Sequence, residues 1–427
     1  MSIFDKKLNK IENNLRYING KLTIEGIPLE KIAKELGTPI FVFSAKRIID
    51  NLKTFSLSFK KYVKNVYFFY PYRANYLPHI LNLIHRENWG AETVSSFEYK
   101  LAKRVSAPSI ILNGFNKRIY EKVLNDEKLF YIVIDSFEDL VYLNEIGKRL
   151  NKTIGVGIRI HPHLKTFQNQ ALIPLGFKLG YDIKSGDAER VIKKASKLSN
   201  VRIVALNTHI AIRQVTPSLH AVALQSLISF ADNICSKYHL DIKYINIGGG
   251  FETRSLLEEE SSIEKFAVEF KKVLLASKKE YSLILEPGRY IINDAGIVIT
   301  QIISQKTNCN RKWLITDVGV NTLIPLKSAS YDVIPLINND KRLAVYDIGD
   351  HIASSIGVIK RNVQLPAMTS TGMYLVILYA GAYTLSMAEQ FCLLKPAVVL
   401  VDKENTEILK KKENVDSFID KLLSESW

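Results

Sequence analysis

Short apolar, β-branched runs recur at residues 66–69, 89–94, 110–112, 131–134, 154–160, 203–206, 244–247 and 283–285. Longer stretches between them, such as 45–62 and 263–276, place apolar residues at helical spacing. Strands buried on both faces read as continuous apolar runs, and these do. Eight strand-helix units in one stretch predict a (β/α)8 barrel. After Tyr290 the pattern changes. Runs at 297–303, 312–316, 343–347, 374–379 and 397–401 are separated by Gly, Asn and Pro turns with few helical patterns, which predicts a second, β-rich domain. Residues 15–18 and 21–24 are strand-like, and the lysines at 410–412 read as a surface helix.

A chain of 427 residues has room for two cores, and a hydrophobic fraction of 47% fits a folded chain. The greasiest segment, 374–394, contains Gly381, Ser386, Glu389 and Gln390. It reads as a strand, a turn and a second segment, so no membrane span is expected. The first seven residues lack the apolar stretch of a signal peptide, and a cytoplasmic location is expected. Cys235, Cys309 and Cys392 are widely spaced and read as free thiols; no metal is expected. A net charge of +15 raises nucleic acid as a partner. The basic residues are dispersed, as at 193–197, and no nucleic-acid module is visible, so a lysine-rich solvated surface is the better reading. Part of that charge can favour anionic ligands or an acidic partner.

Barrel enzymes build their sites where strands end. Arg73, in Tyr70-Pro71-Tyr72-Arg73-Ala74-Asn75, follows the first run, and His209, in Thr208-His209-Ile210, follows the sixth. Gly248-Gly249-Gly250-Phe251 follows the seventh and Glu286-Pro287-Gly288-Arg289 the eighth. Each motif alone reads equally well as an ordinary turn; together they converge on one rim. The glycines would let bare backbone N–H groups approach an anion. Glu286, ending a buried strand, needs a donor or cation, with a structural salt bridge to Arg289 as the alternative. Glu92 and Glu98 read as rim carboxylates or as solvated ones.

In this order, and with Ala380-Gly381-Ala382-Tyr383 downstream, the motifs resemble the fold-type III pyridoxal-phosphate decarboxylases, the family of diaminopimelate and ornithine decarboxylases. The resemblance implies an alanine racemase-like barrel at 36–290 and a β-sandwich or barrel domain formed by 1–35 with 291–427. It implies that Glu286 pairs with the pyridine nitrogen and that His209 stacks on the ring. Gly248, Gly249, Gly250 and Tyr383 would contact phosphate, Arg289 phosphate or substrate, and Tyr331 the substrate. It further implies a dimer whose sites form between subunits, and an amino-acid-like ligand.

The family's first motif reads Tyr-Ala-Val-Lys-Ala-Asn, and its lysine forms the Schiff base with the cofactor. Here that position is Arg73, whose guanidinium has a pKa above ~12 and cannot form it. Other departures point the same way. The family's Cys-Glu-Ser-Gly-Asp stretch aligns with 351–356, where Ile352 replaces the proton-donating cysteine, Ala353 the glutamate and Ile356 the aspartate. The substrate-gripping Arg-Pro pair reads Ile324-Pro325, and His-Ile-Gly-Ser reads His209-Ile210-Ala211-Ile212. Three expectations follow. One is an enzyme with altered chemistry that holds pyridoxal phosphate non-covalently and draws on Tyr72, Arg73 or His351. The second is a catalytically dead chain that pairs with an active relative to activate or silence it; otherwise a homodimer is expected. The third is an ordinary decarboxylase rescued by another lysine, for which Lys178 is the rim candidate.

Overall fold

Eight parallel strands close on themselves in the middle of the chain: Val66–Pro71, Gly90–Thr93, Ile110–Leu112, Leu129–Ile134, Ile154–His161, Val201–Asn207, Tyr244–Asn246 and Ser282–Leu285. Each pairs parallel with the next, and the eighth returns to the first through Leu283 opposite Val66. The computed structural model describes residues 3–5, 8, 14–114, 117–164, 178–210, 216–258, 260–324, 331–338 and 342–424. The chain divides into two compact units, Asn51–Tyr290 and Met1–Asp50 with Ile291–Trp427.

All eight predicted runs became barrel strands, because each is buried on both faces; Ile110–Leu112, for instance, is buried throughout. Phe69, Ile111, Tyr131, Val133, Ala205 and Ile284, from strands one, three, four, six and eight, share one buried cluster. The helices are amphipathic in the expected sense. Ile263–Leu275 buries Ile263, Phe266, Ala267 and Phe270, which is one face at a period of 3.6. Ser95 and Ser136 start helices by accepting the N–H of Glu98 and Asp139, so the strand-to-helix turns are stiffened where the rim residues stand.

In the other unit, the long strand Gly296–Asn308 is the spine. It pairs antiparallel with Arg311–Thr316, Tyr374–Leu378 and Ile40–Ser44. Ile40–Ser44 is buried throughout and also pairs parallel with Ala397–Asp402. Leu15–Ile18, Lys21–Ile24 and Ile27–Pro28 form a small antiparallel sheet, and its Leu15, Leu22 and Ile24 join the same core as Ile297 and Val376. The lysine-rich helix expected at 410–412 is corrected: Lys410 ends the strand Asn405–Lys410, which pairs back onto Ala397–Asp402, and the exposed helix Val415–Ser424 begins later. Cross-strand pairing outweighed the helical propensity of the lysines there. Within 374–394 only Tyr374–Leu378 is a strand, and among the described residues no helix is long and apolar enough to cross a membrane.

Candidate active site at the barrel rim

Strand one stops at Pro71, and the chain enters a single 3-10 turn, Tyr72–Ala74. The turn sends neighbouring side chains in different directions. The Arg73 guanidinium, one-third exposed, donates to the carboxylate of Glu92, which is fully buried on strand two. Glu92 also accepts from Asn113 Nδ2 at 3.0 Å. The Tyr72 hydroxyl lies 2.7 Å from His85 Nε2, whose Nδ1 is 2.8 Å from the Trp89 carbonyl. Burial pushes the Tyr72 phenol up and the His85 imidazole down, so both are neutral. Glu98, accepting from the Val94 N–H at 2.7 Å, is pushed up to about 6, by burial first and then by the charge of Glu92.

On strands seven and eight a second group forms. Asn246 Nδ2 donates to Glu286 at 2.7 Å and to the Tyr131 hydroxyl at 3.0 Å, and Asn207 Nδ2 reaches the same hydroxyl at 3.1 Å. Gly157 on strand five makes room for this network: a Cβ there would stand 2.4 Å from Asn207 Oδ1 and 2.8 Å from the Tyr131 ring. Burial, then the like charge of Glu92, pushes the Glu286 carboxyl up, against weaker opposing pulls from Arg73, Asn246 and Arg159. Arg289 opens the short helix Arg289–Ile292 that follows the eighth strand.

The glycine turn has a different internal logic from a bare cradle. The Gly248 N–H donates to Asn246 Oδ1 at 2.8 Å and the Gly249 N–H to His209 Nδ1 at 3.1 Å. The Gly249 carbonyl is 3.0 Å from Nε2 of His220, a ring stacked on Phe251 at 4.6 Å and held neutral by burial, which lowers it to about 4. Glycine is required because a Cβ at Gly248 would meet the Thr208 carbonyl at 2.7 Å, and one at Gly249 the Glu286 carbonyl at 2.7 Å. Gly248 and Gly250 also have φ of +71° and +90°. The turn therefore fastens the ends of strands six, seven and eight together.

Between strands four and five, Arg159 lies 3.8 Å from Asp135, which accepts the Gly180 N–H at 2.6 Å. Burial pushes Asp135 up and Arg159 down from their ordinary values. Lys178 is exposed, and its charge pulls on Asp135. Sequence reasoning missed Tyr131, Asn207, Asn246, Asp135 and Arg159. The available signal was a polar residue inside or just after an apolar strand, which is expensive unless paired.

The other unit holds the remaining candidates. His351 is exposed, with Nδ1 3.1 Å from the Thr316 carbonyl. Tyr383 is half-buried with φ of +58°, and Tyr331 is buried, its carbonyl accepting from Lys360 Nζ at 2.7 Å. Ala211, Ile212 and Pro325 lie outside the described residues.

A closed (β/α)8 barrel with these strand-end groups, joined in one chain to a β unit, defines the alanine racemase-like class of barrel proteins. Residues 46–293 match the family described as pyridoxal-dependent decarboxylase, pyridoxal binding domain. The chain is 30% identical to the diaminopimelate decarboxylase of Aquifex aeolicus over 95% of this chain and 96% of that protein. It is 27% identical to the diaminopimelate decarboxylase of Methanocaldococcus jannaschii over 94% of this chain and 95% of that one. A solved Aquifex aeolicus structure superposes with a TM-score of 0.84 at 28% identity, covering 98% of this chain and all of that one. The Methanocaldococcus jannaschii diaminopimelate decarboxylase in co-complex with L-lysine superposes with a TM-score of 0.87 at 24% identity, over 96% and 98% of the two chains. This chain belongs to the pyridoxal-dependent decarboxylase family, whose members depend on pyridoxal phosphate.

The residues present fit one end of that cofactor. Glu286 is a buried carboxylate that accepts from a neutral amide and is raised by burial, an environment that a protonated ring nitrogen would suit.

Proposed function

We propose that this diaminopimelate/ornithine decarboxylase-like protein holds pyridoxal phosphate non-covalently and carries out altered amino-acid chemistry in small-molecule biosynthesis. Ordinary decarboxylation is impaired. The observation that carries this reading is Arg73, which stands in the turn after strand one, paired with buried Glu92, and offers no primary amine. Loss of a covalent nucleophile costs on the order of 10⁴- to 10⁶-fold in rate.

In this proposal Glu286 holds the proton of the pyridine nitrogen and His209 faces the ring. Gly250 and Arg289 meet the phosphate, while Gly248 and Gly249 shape the turn. Bound pyridoxal phosphate supplies an electron sink for charge developing beside an amino group. A planar guanidinium such as that of Arg73 is suited to gripping a substrate carboxylate. Glu98, with its carboxyl at about 6, can exchange a proton near neutral pH. Tyr72 is held by His85 and buttresses the turn that carries Arg73. The protein is proposed to be a cytoplasmic homodimer.

Absorbance spectra of the purified protein, with and without pyridoxal phosphate, followed by borohydride and mass measurement, test the reading. A saturable complex that borohydride fails to attach to the chain is expected. A fixed adduct on any side chain would overturn it and would favour rescue by a lysine such as Lys178.

A second reading is favoured by the loss of family groups in both units, at Arg73 and at Ile352. A chain altered on both halves can serve as a regulatory partner of an active relative. Recovery of a lysine-bearing homologue with the native protein would support it, and a strict homodimer from the native source would count against it.

A further inference from the structure

We propose that His161, His163 and Asp182 form a binding site for one divalent cation of the zinc class. The sequence reading expected no metal because the cysteines form no ligand pattern. The tertiary structure brings together a different donor set.

His161 is the last residue of strand five. The two-residue strand Tyr181–Asp182 pairs with it in parallel and places Asp182 directly opposite His161. Pro162 follows, and His163 turns back with φ of +49°, a left-handed conformation that is uncommon for a residue other than glycine. Both imidazoles therefore meet one carboxylate oxygen. Asp182 Oδ2 lies 2.7 Å from His163 Nδ1 and 3.2 Å from His161 Nδ1. One ligand atom from each of the three residues fits within a 4.8 Å span. Metal bonds of about 2.0–2.2 Å to nitrogen and oxygen set neighbouring donors roughly 3 Å apart, so little rearrangement is needed.

Two further features suit an ion. The other carboxylate oxygen, Oδ1, already accepts the Ser185 N–H at 2.7 Å, which fixes the carboxylate with Oδ2 toward the rings. His161 is buried while His163 and Asp182 keep 20% and 12% of their side-chain surface, so a hydrated ion has a way in. Two imidazole nitrogens with one carboxylate select a borderline transition-metal ion over magnesium or calcium, which prefer oxygen ligands. Three protein ligands leave a coordination position for water or another ligand. On binding, the His163 ring proton moves from Nδ1 to Nε2 or to solvent, and the His163 amide, which now donates to His161 Nδ1 at 3.2 Å, releases that nitrogen. The ion would tie Tyr181–Asp182 to strand five. The competing arrangement is a metal-free His-Asp-His hydrogen-bonded tie.

The full-length protein, stripped with a chelator and prepared without pyridoxal phosphate, is titrated calorimetrically with zinc and spectroscopically with cobalt. Uptake of one ion per chain is expected, with a ligand-field spectrum from nitrogen and oxygen donors and a melting temperature raised by zinc. Asp182→Asn and His163→Ala should each lose at least ~10- to 100-fold in affinity, the range that disturbing even supporting groups costs. His239→Asn, at an exposed helix end, should bind as the parent does. Circular dichroism of the stripped variants confirms that each is folded. Failure of the parent to take up one equivalent, or equal affinity in the parent and both site variants, would overturn the proposal.

Discussion

Glu92 and Glu286 are buried carboxylates on the same barrel rim, and their partners differ in kind. Glu92, on strand two, is met by the Arg73 guanidinium and by Asn113, so its charge is answered inside the protein. Glu286, following strand eight, is met by the neutral amide of Asn246, and burial raises its proton affinity. Glu92 is paired directly with a guanidinium, whereas Glu286 feels Arg73 and Arg159 only as weaker pulls and has a neutral amide as its hydrogen-bond donor. A buried charge without a paired charge is costly, so proteins keep such a group where a ligand completes it. The difference is consistent with the proposal that the strand-eight side receives the ligand.

Arg73→Lys should break the contrast most strongly. It supplies a primary amine at the end of strand one, and borohydride treatment with pyridoxal phosphate should turn an undetectable adduct into a near-stoichiometric one, read by intact mass. Next in size is Asn246→Ala, which removes donors to Glu286 and Tyr131 and an acceptor for the Gly248 N–H. At about 1 kcal/mol per bond, urea unfolding should show a loss of roughly 2–4 kcal/mol. A paired experiment then sharpens the comparison. Arg73→Ala strands the Glu92 charge and should cost about 1–3 kcal/mol, whereas Glu286→Gln removes a disfavoured charge and should be neutral or stabilising at pH 8. Equal losses in both variants would erase the distinction between the two sides.

The smallest effect concerns pH. Glu98 titrates at about 6 in the folded chain against an ordinary value of 4.5, so its protonated form favours folding. That contribution is complete below 4.5 and is lost as pH rises through about 6. Glu98→Gln mimics the protonated carboxyl; it should match the parent at pH 4 and exceed it by roughly 1–2 kcal/mol at pH 8. Parallel denaturation curves at the two pH values check this.

Much of the barrel was legible along the chain because parallel strands with both faces covered must be apolar throughout. The β unit was less legible. Val358–Pro366 and Asn405–Lys410 were missed because neither carries a continuous apolar run, and the second is mostly exposed. At the rim, Arg73, His209, the glycines and Glu286 stood out because each sits beside a strand end. Asn246 and Tyr131 lay inside apolar runs, where one polar residue reads as an interruption until its partners are known.

The linear chain determined the succession of strands and helices, the identity of the groups at the strand ends and the chemistry that Arg73 rules out. Those follow from local periodicity and from what a guanidinium is. Only the tertiary structure decided which carboxylate is answered by a charge and which by an amide, and that Asp182 stands opposite His161. Burial and contact between distant residues are products of barrel closure and strand register, and neither is encoded at any single position.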